Sequence, residues 1–327
     1  MNAYDTVKIT DFLEHCEDVE DFKNILLPKL QNQRMMWKAK IEQILTDNHY
    51  TVKQFAALCR VSEPAVRKWR NGALPQSRDM FLRIGFAAGY HVEEMNLFLK
   101  RYGRCPQLYV KTLEDSVCMF VLRSQTLPHT YECYLEVLDY IKNELQAETP
   151  AMQFSYGTVR MSEHFENLVS MDELVSFARS NASSYKEAYA RLYNYVLAFV
   201  QINLYDIGDA QYASFHSMAS ESGWSSSLRH CISEIRNKRW FPQRHKIISL
   251  GLHLNMDLDD INKMLQYAQM EPLYAKNPVE AAVMFALEEA QLNEIIFRDG
   301  SDDLCQYVKD ILTQLELADS EYLLDDL

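Results

Sequence analysis

The sequence predicts an all-α fold made of two copies of one helical unit. Three observations predict it. Apolar residues recur at the three- and four-residue spacing of buried helix faces, and only nine Gly and nine Pro interrupt 327 residues. The stretch from Thr51 to Pro75, TVKQFAALCRVSEPAVRKWRNGALP, reads as two short helices around a tight turn. Blocks of the first half also return, in order, in the second.

Each copy opens on a short lead. Thr6-Val7-Lys8-Ile9-Thr10 and Thr158-Val159-Arg160-Met161-Ser162 alternate apolar and polar residues. One reading makes them small half-buried strands, with Thr10 and Ser162 capping the helices that follow. The other makes Thr6 and Thr158, each beside a basic residue, phosphorylation sites that recruit an Arg-bearing partner.

Helices follow at about 34–46, 51–59, 62–71, 77–89 and 91–101. Thr51 is the N-cap of the second, and Phe55, Ala56 and Leu58 give it an apolar face. Val61 ends the turn. Ser62 caps the third helix and Pro64 sits in its first turn, where the missing N–H costs nothing. Ala65, Val66 and Trp69 point inward, and Asn71-Gly72 stops the helix because both residues tolerate the left-handed conformation. Glu63, Pro64, Arg67, Lys68 and Arg70 are left facing outward. A short helix with a free basic face fits a DNA major groove.

The run from Trp37 to Tyr102 resembles the lambda-repressor-like (XRE) helix-turn-helix family. The matching words are Thr51 opening helix two, Ser62 opening the recognition helix, Trp69-x-Asn71-Gly72 closing it, and Pro75 before helix four. Phe81-Leu82-Arg83-Ile84-Gly85-x-x-Ala88-Gly89 fits helix four, and Val92-Glu93-Glu94-Met95 fits helix five. The resemblance implies a five-helix module at about 34–102, double-stranded DNA as the partner, and a homodimer on paired half-sites. Arg67 and Glu63 would then meet base edges, while Lys68, Arg70 and Arg78 hold phosphates. Thr51, Ser62, Pro64 and Asn71 would frame that contact, with the helix-two N-terminus aimed at the backbone. Val52 departs from the pattern, since members often carry a phosphate-touching Gln there.

Charge is distributed accordingly. The chain carries a formal net charge of −13, yet Arg34 to Arg104 holds thirteen Lys or Arg against six Asp or Glu. A basic module inside an acidic protein is the footprint of a local nucleic-acid contact.

The repeat places two copies at about 4–150 and 156–317, the first domain being 1–150. Gly85 to Leu122 echoes Gly251 to Leu287: Pro106 meets Pro272, Tyr109 meets Tyr274, Lys111 meets Lys276, and Met119-Phe120 meets Met284-Phe285. Arg70-Asn71 likewise meets Arg236-Asn237. The second copy reads as degenerate. Its helix two falls at about 209–218, its turn at 219–224 is too long, and its recognition-helix equivalent runs from about 227 to 236. It keeps a basic patch of Arg229, Arg236, Lys238, Arg239, Arg244 and Lys246. That patch would touch phosphate without reading bases, or dock on the acidic remainder of the chain or on a protein partner.

Between the halves, Tyr185, Tyr189, Tyr193, Val196, Phe199 and Val200 form a packing stripe on one expected helix. Near the end, 304–317 reads as an amphipathic helix, and the acidic residues from Asp319 onward (318–327 as a domain) read as a loose tail able to compete with DNA. The seven Cys stand singly, without a CxxC pair, as reduced thiols of a cytosolic protein do. The opening MNAYDTVKITDFLEH lacks the basic-then-apolar pattern of a signal peptide, so no leader is expected, and no membrane-length apolar run, paired-His metal spacing or phosphate loop is found in the sequence. The expectation is a cytoplasmic, non-enzymatic transcription regulator with no cofactor, no metal and no membrane partner. The alternative is a helical scaffold for protein partners in a signalling pathway, controlled by phosphorylation.

Overall fold

The computed structural model describes residues 9, 12–13, 15–16, 18–30, 33–75, 77–146, 158–206, 209–210, 212–292, 304–317 and 320–327. Among them the protein is helical, apart from two antiparallel two-residue strands, Tyr205–Asp206 and Asp209–Ala210. No helix of the described residues is long and apolar enough to cross a membrane. The chain divides into two compact units. One is Gln33–Ala190, and the other joins the described residues of Met1–Asn32 to Arg191–Leu327.

The first unit begins with the five expected helices, at Gln33–Asp47, Val52–Leu58, Glu63–Arg70, Arg78–Ala87 and Val92–Phe98. Trp37 centres their core. It is fully buried, and its ring lies 5.4 Å from that of Phe81 and 6.0 Å from that of Phe98. Helices Leu113–Arg123 and Tyr131–Gln146 close the far side, with Phe86 stacked on Tyr134 at 5.8 Å.

The expected boundary near residue 150 is not where the units divide. Thr158–Glu166, Met171–Ser180 and Ala182–Lys186 pack with the first unit. Their apolar side needs cover, and it buries Met161, Phe165, Leu174 and Phe177 there, while Arg179 reaches Glu144 at 2.7 Å.

The second unit carries helices Phe215–Glu221, Ser226–Arg236, Arg244–His253, Leu258–Tyr267, Pro278–Leu292, Leu304–Gln314 and Glu321–Leu324. Ala190–Asn203 leads into it, and Val19–Asp21, continued as a π turn Phe22–Leu26, packs with it. Phe22 is fully buried 5.5 Å from Phe285.

Three expectations are corrected here. Thr158 to Ser162 is not a strand: it forms the first turns of a helix, so Ser162 lies inside that helix and caps nothing. The counterpart Thr6, with Thr10, lies outside the described residues. The aromatic stripe does not occupy one helix. It breaks between Ala182–Lys186 and Ala190–Asn203 and is shared between the two units. The acidic tail is not loose over 320–327. Leu323 is 3% exposed and the Asp326 side chain is hydrogen-bonded to Ser225 and Lys246, so one buried leucine and one paired carboxylate anchor the segment that its charge alone would keep solvated.

Candidate nucleic-acid interface

Local sequence builds the helix pair at 52–70. The Thr51 hydroxyl accepts the Gln54 N–H at 3.2 Å, while the Gln54 carboxamide oxygen accepts the Thr51 N–H at 3.0 Å, a reciprocal cap. The turn is Cys59-Arg60-Val61-Ser62. Arg60 takes a left-handed conformation (φ 55°), and the Val61 N–H closes back on the Ala56 carbonyl at 2.9 Å. Phe55, Ala56, Cys59, Val66 and Trp69 are buried beneath it. Leu58 does not face the core as expected. It is 43% exposed, because the inward place one residue on belongs to Cys59. The Glu63–Arg70 helix ends where Gly72 takes φ 99° and the Ala73 N–H bonds the Lys68 carbonyl at 3.0 Å.

Its outer face carries Ser62, Pro64, Arg67 and Lys68, all exposed, with Glu63 half-exposed and Asn71 exposed at the end. The Arg67 guanidinium lies 3.3 Å from the Glu63 carboxylate, one turn away, yet its side chain is 67% exposed. Arg70 is tied across to Glu42 by two bonds of 2.7 and 3.2 Å. Glu42 had no signal in the sequence, since it lies 28 residues away.

Arg78 is not a phosphate ligand. Its side chain is 11% exposed and bonds Asp115 Oδ1 at 2.8 Å and the Pro106 carbonyl at 2.9 Å. Burial works against its charge, but the neighbouring Asp115 carboxylate outweighs it and holds the guanidinium above its ordinary range. A cation held in this way is spent on positioning the 106–115 segment.

The second unit contains a matching helix pair, and the expectation of an overlong turn fails. The Phe215–Glu221 helix runs past 218, which leaves four residues, Ser222-Gly223-Trp224-Ser225, before Ser226–Arg236. Gly223 is left-handed (φ 67°), and the Trp224 N–H bonds the Ala219 carbonyl at 2.9 Å. The Ser225 hydroxyl caps the Leu228 N–H at 3.1 Å. At the far end Lys238 is left-handed (φ 55°), and the Arg239 N–H bonds the Glu234 carbonyl at 2.9 Å.

Four members of the expected second basic patch stay available: Arg236, Lys238 and Arg239 are exposed and Arg229 is half-buried. The Arg236 guanidinium lies over the Phe215 ring at 5.1 Å. The other two are consumed internally. Arg244 bonds Glu280 and the Glu271 and Pro272 carbonyls, and Lys246 bonds Asp326 at 2.5 Å. Thr158 opens its helix in the first unit.

Paired contacts recur beyond the turns. Asp115 Oδ2 accepts the Tyr109 N–H at 3.0 Å and Glu280 Oε2 accepts the Tyr274 N–H at 2.8 Å. Asn96 Oδ1 accepts from Leu108, and Asn262 Oδ1 from Leu273, each at 2.8 Å. Gly85 lies against Met95, and Gly251 against Ile261. Asp18 caps Asp21 at 2.8 Å, and Ser170 caps Glu173 at 3.3 Å.

An open cleft of about 730 Å³ in the first unit is lined by His91, Glu93, Arg123 and His129 among others. His129 Nε2 is engaged by the Ser124 carbonyl at 2.5 Å. Among the described residues no group of three His, Cys, Asp or Glu is arranged to hold a metal ion. Comparison with known proteins brings no relative to this arrangement: no family model matches the chain, and neither a curated protein nor a solved structure matches it significantly.

Proposed function

We propose that the protein is a sequence-specific DNA-binding regulator of transcription, of lambda-repressor-like kind, that reads duplex DNA with the Glu63–Arg70 helix. One observation carries this reading. The helix spends its apolar face on Val66 and Trp69 and leaves Pro64, Arg67 and Lys68 exposed after a tight four-residue turn. Side chains on such a face reach base edges when the helix lies in a major groove. Its segment is basic while the whole chain is at −13, so attraction for DNA is local and not a property of the chain as a whole. We further propose that the two halves arose by duplication. The recurrence of the turns, the carboxylate-capped Tyr N–H groups and the Asn contacts supports it. Homodimers on paired half-sites belong to the same reading.

A second reading, a helical scaffold for protein partners, draws on the Glu63–Arg67 and Glu42–Arg70 pairs, which neutralise two of the outward cations. Phosphorylation at Thr158 would fit it, because the residue opens a helix whose positive end stabilises phosphate.

Selection from random duplex DNA by the purified chain, at two salt concentrations, tests the two. A recovered motif with affinity falling steeply as salt rises supports the regulator. Absence of binding at low salt supports the scaffold.

A further inference from the structure

The second helix pair keeps everything that presents a reading helix. Its turn has the same length, the same left-handed second residue and the same closing N–H bond as the first: 2.9 Å from Trp224 to Ala219, and 2.9 Å from Val61 to Ala56. Its helix is anchored inward by Leu228, Ile232 and Ile235, none more than 1% exposed. Ser227, His230, Ser233 and Asn237 recur every three or four residues and are exposed, as one outer face requires. Arg236, Lys238 and Arg239 are exposed at its C-terminal end. The Asp326 carboxylate meets Ser225 and Lys246, and with it in place those outer residues remain open.

We infer that the Ser226–Arg236 helix is a second DNA-reading helix, so that one chain recognises a composite site of two unlike boxes. The inference rests on the DNA-binding reading above and goes beyond it. The two outer faces differ in chemistry. The first offers Glu63, Arg67 and Lys68, which favour a guanine edge through a guanidinium. The second offers hydroxyls, an imidazole and a carboxamide. Ser accepts or donates at any base, and Asn fits the adenine edge. Unlike faces do not read the same box, so the target is asymmetric, whereas a dimer using only the first helix reads an inverted repeat. Arg236, Lys238 and Arg239 take the flanking phosphates.

The test is selection from random duplex DNA with three full-length proteins: wild type, Arg67→Ala/Lys68→Ala, and Ser227→Ala/His230→Ala/Ser233→Ala. All substitutions lie on exposed faces, and circular dichroism checks that each variant folds. Expected for wild type is a site that contains two different boxes. Each variant should lose one box and bind the full site at least tenfold more weakly. An inverted repeat of one box overturns the inference, as does a triple variant that selects the wild-type site with unchanged affinity; both leave the first helix as reader. Salt-dependent binding without a motif, or no binding, overturns the regulator itself and the inference with it.

Discussion

Arg78 and Asp115, 37 residues apart in sequence, form a buried ion pair with 2.8 Å between Nη1 and Oδ1 and side chains 11% and 1% exposed. Arg244 and Glu280 form its counterpart in the other unit, also at 2.8 Å and with 11% and 6% exposure. Each arginine also binds main-chain carbonyls of the segment ahead of its carboxylate, and each carboxylate accepts a tyrosine N–H there. The pair therefore fastens an irregular segment to the helices on either side of it, together with the Asn96 and Asn262 contacts.

Asp115→Ala strands a guanidinium in the core. Breaking such a pair costs about 3–5 kcal/mol, whereas replacing both members by apolar residues costs far less or nothing. Urea denaturation should show a large fall in midpoint for Asp115→Ala and a smaller one for the double variant Arg78→Met/Asp115→Leu. Equal loss in the two would mean that the pair contributes only through packing.

Gly85 and Gly251 test backbone approach in each unit. A methyl group at Gly85 would overlap the Met95 thioether, a flexible end that can swing away. At Gly251 it would lie 2.5 Å from Cγ1 of Ile261, close to a β-branched stem that cannot. Overpacking costs roughly 1–3 kcal/mol. Gly251→Ala should therefore destabilise more than Gly85→Ala, measured as the difference in urea midpoint, and the reverse order would mean that the helices shift instead of the side chains.

These positions also show how far the sequence was legible. Caps, apolar spacing and the Asn71-Gly72 stop are local signals, and they located the first five helices to within about three residues. The glycines were visible as an echo. The fate of Arg78, Arg244 and Lys246 was not, because their partners lie far along the chain and a Lys or Arg reads alike in a core pair and on a surface. The second turn was misjudged through a helix end, where fraying and the lack of a sharp stop at Met218 leave no mark. The docking of 320–327 was hidden behind its charge, since Glu321, Asp325 and Asp326 flank Leu323 and the partners of Asp326 lie far along the chain.

His245 gives the second unit a pH dependence. Burial holds its imidazole below the ordinary value, Lys246 adds to this, and Asp326 opposes it. Above about pH 6.5 the ring is neutral in folded and unfolded chains alike, and it costs nothing. As pH falls below that value, the unfolded chain takes up the proton first, so stability drops until the folded pKa is reached. Thermal scans from pH 7.5 to 5 should show a decline that His245→Gln flattens. Superimposable slopes for the two proteins would assign the decline to carboxylates elsewhere.

Asp326 should be the fastening of the 320–327 segment. Its carboxylate meets the Ser225 hydroxyl at 2.9 Å and the Lys246 ammonium at 2.5 Å, and its carbonyl meets His253 Nε2 at 2.7 Å. Asp326→Ala leaves the ammonium unpaired in a site where it is 13% exposed. Amide exchange should accelerate at 320–327 and at the start of the Ser226–Arg236 helix, with the Glu63–Arg70 helix unchanged. Unaltered exchange in 320–327 would place its anchorage in Leu323 alone.

Arg67 and Lys68 are neighbours on one exposed face, and they should fail differently. Arg67 has a planar fork able to bond a guanine edge at two points, and its present partner Glu63 lies 3.3 Å away on an exposed surface, where such a pair is weak and easily exchanged. Arg67→Ala should cost about 1–3 kcal/mol on the selected site and relax preference at one base step. Lys68 is a point charge suited to phosphate. Lys68→Ala should weaken all sequences about equally and lower the slope of log affinity against log salt by about 0.9. Fluorescence anisotropy on the selected site and on a scrambled one, across a salt series, separates the two effects. If Arg67→Ala leaves the preference intact and only flattens the salt slope, Arg67 holds backbone and the reading falls to other side chains of the helix. Glu63→Gln then discriminates further. It frees Arg67 and removes one negative charge from the exposed face, so it should raise affinity for both sequences if Glu63 only restrains the guanidinium. It should lower affinity for the selected site alone if Glu63 itself accepts from a cytosine amino group.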